Sequence, residues 1–82
     1  MSMNRNQNEL LDPNLYEVIV QCVMQKISAT ETEVIVTYEN GDTERIWTFN
    51  PVRYSFNYRE FIGMTKIQAV FYCDRKPPRR SR

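Results

Sequence analysis

Between residues 33 and 49 apolar side chains recur at alternate positions in two runs, EVIVTYE and DTERIWTF, separated by Asn40-Gly41. Period-two alternation marks strands with one buried face, and Asn-Gly tolerates the positive φ angles of a tight hairpin turn. The pattern therefore predicts a β-hairpin. With a two-residue loop, Tyr38 faces Thr43, Val36 faces Arg45 and Val34 faces Trp47. Val34, Val36, Tyr38, Trp47 and Phe49 then line one face. A three-residue loop with a bulge at Gly41 would shift the pairing by one and move Trp47 to the face of Ile35 and Thr37. The two-residue loop is preferred, although it sets Glu39 opposite Asp42.

Residues 15 to 27, LYEVIVQCVMQKI, fit two periods. As a helix they would open on Asp12 as N-cap and Pro13 in the first turn, with Glu17, Gln21 and Gln25 on one wet face. As a strand they would place Tyr16, Val18, Val20, Cys22 and Met24 on an apolar face, with the polar residues interleaved with Ile19 and Val23 on the other. The β-branched cluster Val18, Ile19 and Val20 favours the strand. Asn50-Pro51 marks a corner. Beyond it Val52 to Ile62 alternates, Tyr54, Phe56 and Tyr58 against Arg53, Ser55, Asn57 and Arg59, and predicts a further strand. Thr65 is a natural N-cap for a helix from Lys66 to Arg75, with Ile67, Val70, Phe71 and Asp74 on one side and Ala69 and Cys73 close by. Pro77-Pro78 ends that helix and starts a stiff tail.

The expected architecture is α+β: a small antiparallel sheet of three to four strands with a central Asn-Gly hairpin, packed against a short C-terminal helix. Residues 1–13 form a flexible lead-in, 14–76 a single domain and 77–82 a disordered basic tail. Trp47, Val34, Val36, Phe56, Val70 and Phe71 are expected to be largely buried.

Composition and charge change this picture further. At 82 residues, 41% of them hydrophobic and 26% charged, the chain can build one modest core. Its longest apolar run, Ala69 to Cys73, is far too short to span a bilayer. The start of the chain lacks the basic and apolar regions of a secretory signal, so a cytoplasmic location is expected. Finally, the net charge of +1 conceals an asymmetry. Residues 75–82 carry Arg75, Lys76, Arg79, Arg80 and Arg82 and no acid. Residues 1–74 hold six basic groups against ten acids, a formal charge of −4.

Candidate chemistry is sparse. The chain has no histidine, which removes the commonest general base, the histidine-paired nucleophiles and most transition-metal sites. Its two glycines belong to no phosphate-cradling loop. Neither catalysis nor a cofactor nor a metal is therefore expected. Cys22 and Cys73 read as buried free thiols, with a single disulfide in an oxidising compartment as the other reading. The acids Glu31, Glu33, Glu39, Asp42 and Glu44 cluster around the hairpin, as charge does on many exposed edges, and could also form a docking surface. Tyr54, Phe56 and Tyr58, near Arg53 and Arg59, suit either a core or a platform for unpaired bases.

Val34 to Arg45, VIVTYENGDTER, resembles the turn-and-strand core of Tudor-like or SH3-like small barrels. That resemblance implies binding to peptides, modified side chains or components of larger machines, and the helix after Thr65 departs from a minimal barrel. The residues point to a non-catalytic protein-binding adaptor or regulatory subunit that docks on another protein. Its contacts would be the acidic hairpin (Glu39, Asp42, Glu44) and the basic tail (Arg75, Lys76, Arg79, Arg80, Arg82). The alternative is a nucleic-acid-associated protein in which the tail grips phosphates and Tyr54, Tyr58 or Trp47 stack on bases.

Overall fold

The computed structural model describes residues 12–78. Of the expected lead-in, residues 1–11 lie outside the described residues, and of the expected tail, residues 79–82 do. Three strands, β1 (Ile19–Ser28), β2 (Glu31–Tyr38) and β3 (Thr43–Phe49), form an antiparallel sheet in the order β1-β2-β3. A 3-10 turn (Tyr58–Phe61) and one α-helix, α1 (Lys66–Arg75), follow, and α1 packs against the sheet. The α+β architecture is thus as expected, with three strands. The sheet is open, so the likeness to small barrels ends at β2 and β3.

Residues 15–27 resolve in favour of the strand, but only from Ile19 onward. Asp12-Pro13 starts a single turn instead of a helix: the Leu15 N–H donates to the Asp12 carbonyl at 3.1 Å and the Asn14 N–H to Asp12 Oδ1 at 2.9 Å. Side-chain parity in β1 also departs from simple alternation. Pairing steps from Ile19↔Tyr38 to Gln21↔Thr37, which leaves Val20 as an extra, bulged residue. A bulge reverses the face of everything before it. Ile19 is therefore buried with Cys22, while Val20 is turned out.

The turn between β2 and β3 is longer than two residues. The Gly41 N–H donates to the Tyr38 carbonyl, the Tyr38 N–H to the Asp42 carbonyl, and Gly41 takes φ +96°, which a residue with a Cβ adopts poorly. Thr37 now pairs with Thr43 and Val36 with Glu44, one step from the preferred register. A second bulge, between Arg45 and Trp47, restores the pairing of Val34 with Trp47. The shift expected of the longer loop occurs, and Ile46 absorbs it.

The expected strand over Val52 to Ile62 is absent. Residues 51–53 form a turn closed by the Arg53 and Tyr54 N–H groups on the Asn50 carbonyl, and 54–57 form no regular element and do not join the sheet. Their alternation persists in burial, with Tyr54 and Phe56 half-buried and Ser55 and Asn57 exposed. Asn57 then caps the 3-10 turn, its side chain accepting from the Arg59 N–H while Glu60 reaches back to the Asn57 N–H. This turn carries Tyr58 out of the strand pattern and buries Phe61. Period two here marks a chain lying against a core, not a ladder.

Helix α1 starts at the expected cap. Thr65 accepts from the Gln68 N–H and Gln68 answers to the Thr65 N–H, a reciprocal box that satisfies two orphan donors. Its inward face differs from expectation: Ala69 and Cys73 are buried, Val70 is half-buried and Phe71 is 54% exposed. The small side chains at i and i+4 let the helix close on the sheet, and Phe71 lies off that line. Val34 and Val36 are buried as expected, whereas Trp47 and Phe56 are half-buried. The aromatic side of the core is a linked set, Phe56 meeting Phe49 edge-on at 4.7 Å, Tyr72 at 6.0 Å and Phe61 at 6.1 Å between ring centroids.

Candidate functional site

The ionisable residues separate by what they already hold. On the acidic hairpin, Glu39 is exposed at the turn and Asp42 accepts from the Asn14 side-chain amide at 3.2 Å. Glu44 does not stand with them. Paired with Val36 on the core side of the sheet, it accepts the Tyr38 hydroxyl at 2.7 Å on one oxygen and Lys66 Nζ at 2.9 Å on the other. Lys66 Nζ also donates to Asp12 Oδ2 at 2.5 Å. Burial disfavours the Lys66 charge, but the hydrogen bonds to Asp12 and Glu44 outweigh it and hold its pKa above the ordinary value. The Lys66 contact and the Asn14 N–H hold Asp12 below the usual carboxylate range. Burial and the neighbouring Glu44 push the Tyr38 hydroxyl up. Asp12, expected in the flexible lead-in, is thereby tied to the body.

At the other end of α1, Arg75 is exposed with its guanidinium 5.7 Å from the centroid of the Phe71 ring. Lys76 is the C-cap residue, its N–H donating to the Cys73 carbonyl. Its ammonium donates to the Tyr72 hydroxyl at 2.8 Å, lies 3.9 Å from Glu60, and sits 5.3 Å and 5.0 Å from the Phe56 and Tyr72 ring centroids. Tyr72 in turn donates to Glu60. The Tyr72 hydroxyl, then Glu60, hold the Lys76 pKa above its ordinary value, against burial. Burial and then Glu60 raise that of Tyr72. A cation on an aromatic face beside a carboxylate is favourably placed, and a helix C-terminus suits it further.

Two concavities meet at Lys76. An open groove of about 440 Å³ runs along Gln68, Phe71, Tyr72, Arg75, Lys76 and Pro77. A cleft of about 330 Å³ lies between the end of β3 and α1, with Trp47, Asn50, Tyr54, Phe56, Asp74 and Lys76 on its walls. Of the three aromatics expected to stack on bases, Trp47 and Tyr54 share this cleft. Tyr58 lies outside it, exposed beneath the Arg59 guanidinium at 5.7 Å. Arg79, Arg80 and Arg82 fall outside the described residues.

Cys22 and Cys73 are both buried and unbonded. Burial pushes the Cys22 thiol up to about 11 and the Cys73 thiol up to about 12, which makes both poor nucleophiles near neutral pH. Among the described residues no group of three or more cysteine or carboxylate side chains could hold a metal ion, and no helix is long and apolar enough to cross a membrane.

Sequence reading placed Arg75 and Lys76 in the candidate surface but missed Phe71, Tyr72 and Glu60. Phe71 with Arg75 and Tyr72 with Lys76 are both spaced i, i+4, the spacing at which a helix brings an aromatic and a cation together. That signal was present in FYCDRK. No protein-family model, curated protein or solved structure matches this chain, so the arrangement of side chains is what speaks to function.

Proposed function

We propose that this protein is a small non-catalytic binding subunit that docks on an acidic segment of another protein through the end of α1 and the basic residues that follow it. The observation that carries this reading is the exposed Phe71, which lines an open groove with Arg75, Lys76 and Pro77. A large aromatic left in water beside cations is a common make-up for an interface anchor. The chain beyond it adds Arg79, Arg80 and Arg82. The complementary partner offers an apolar side chain for the groove and carboxylates for the cations around it. Glu39 and Asp42, on the hairpin turn, supply a second contact of opposite sign. A chain without histidine and with two high-pKa thiols gives catalysis little to work with, and unbonded cysteines suit the cytoplasm.

The test is a titration of the full chain with a synthetic peptide of glutamates around one central phenylalanine, repeated with Phe71→Ala and with a chain ending at Asp74. Each variant is expected to weaken binding about tenfold or more. Equal affinity for all three proteins would rule the surface out. One observation favours the second reading, a single-stranded nucleic acid: Trp47 and Tyr54 share a cleft with Lys76. Under that reading a thymidine oligonucleotide binds more tightly than the peptide, with steep salt dependence, and Trp47→Ala is more damaging than Phe71→Ala.

A further inference from the structure

The two edges of the sheet are finished differently. Strand β3 is seven residues long, carries Glu44 and Arg45 and is bent by the bulge at Ile46, all devices that discourage another strand from pairing. Strand β1 is ten residues long. Among the described residues its outer side is occupied only at the start, where the Ile19 N–H donates to the Met64 carbonyl, the Gly63 N–H to the Ile19 carbonyl, and Val18 bridges Thr65. From Gln21 to Lys26 the strand is free of bulges, glycine and proline, has one charge, and has no main-chain partner beyond β2 among the described residues. Val20, Val23 and Ile27 are 49%, 49% and 50% exposed.

We infer that this edge pairs with β1 of a second copy of the chain, antiparallel and about a two-fold axis at Val23, joining two sheets into one of six strands. The strand's own sequence argues for a copy of itself. Centred on Val23, the pairing sets Val23 on Val23 and Gln21 on Gln25 on the outer face, and Cys22 on Met24 on the inner face. Glutamine amides both donate and accept, so each flanking pair satisfies itself. Lys26 falls opposite Val20, and no like charges meet. The inner faces carry the buried Cys22 and half-buried Met24 of one core up to those of the other. A domain of this size buries a smaller fraction of its surface than a larger one does, and gains from such an extension. This pairing is independent of the surface at the end of α1.

Sedimentation equilibrium of the full chain over a micromolar dilution series tests it, with Val23→Lys and Val23→Glu measured separately and then mixed. Val23 is half-exposed on the outer face, so both variants should keep the far-UV circular dichroism of the parent. The expected result is twice the chain mass for the parent, the single-chain mass for each variant alone, and recovery of the doubled mass on mixing. Val52→Lys, on an exposed residue away from the edge, should keep the doubled mass. A parent that stays single at every concentration, or a doubled mass that survives in both variants alone, overturns the inference. Should either variant misfold, amide exchange of the parent decides: protection at residues 21–26 rises with concentration if β1 pairs with itself, and concentration-independent exchange there overturns it.

Discussion

The two lysines at the ends of α1 have the same chemistry and similar exposure, 16% and 22% of the side chain, but different partners. Lys66 sits at the first helical position, where the helix dipole disfavours a cation, yet it is the more enclosed, with its side chain 16% exposed between Asp12 and Glu44. Lys76 caps the other end, where the dipole favours it, and its ammonium lies against the Phe56 ring and the Tyr72 hydroxyl, with Glu60 at the looser distance of 3.9 Å. The first is a clamp that fastens the chain before β1, strand β3 and helix α1 together. The second keeps its charge beside an open groove and a cleft. Charge alone does not separate the two lysines; the number of carboxylates already in contact does, two at Lys66 and one at Lys76.

Removing the clamp should have the largest effect. Lys66→Met leaves Asp12 and Glu44 without their shared cation, and charge-assisted hydrogen bonds of this kind are worth about 2 kcal/mol. A drop of that order is expected in urea unfolding. Acid should show the same contact from the other side. Asp12 has a folded pKa below its unfolded value near 3.8, so its contribution is complete above that value and is lost as pH falls through the lower folded pKa. Lys66 has a folded pKa above 10.5, so its share is complete below 10.5 and is lost as pH rises through the higher folded pKa. Stability of the parent should therefore fall on both sides of a broad plateau, and Lys66→Met should flatten both limbs. Unchanged limbs in the variant would mean the contact is not formed in solution.

Lys76→Ala should be milder, about 1 kcal/mol from the lost contacts with Phe56 and Tyr72, with little change in acid stability. Phe71→Ala should be smallest for folding, within about 0.5 kcal/mol, because the side chain is mostly in water. Its effect belongs to binding. A Phe71→Ala loss as large as that of Lys66→Met would erase the distinction between the two ends of the helix.

Features encoded within a few residues were legible in the sequence. The Thr65 cap, the strand at Val34 to Tyr38 and the stop at Pro77 each rest on local chemistry, and the structure has them where expected. Features that depend on register were not. A bulge at Val20 and another at Ile46 each reverse side-chain parity, and nothing in an alternating apolar run says where the extra residue will fall. The segment Tyr54 to Tyr58 alternates because it lies on the aromatic core, and a pattern of burial does not reveal whether a neighbouring strand exists. Helix α1 offered two overlapping apolar arcs, and the smaller side chains, Ala69 and Cys73, took the inner position. Of the candidate surface, Arg75 and Lys76 were legible as charge. Glu60 was not, because it reaches Tyr72 and Lys76 only once the 3-10 turn has placed it.

The most direct test of the division between the two ends of α1 is an NMR titration of the full chain with the glutamate peptide bearing one phenylalanine, read residue by residue. Amide shifts confined to Gln68, Phe71, Tyr72, Arg75 and Lys76, with Asp12, Glu44 and Lys66 still, are the predicted result. Shifts centred on Lys66 and Glu44, or none at saturating peptide, would contradict the account.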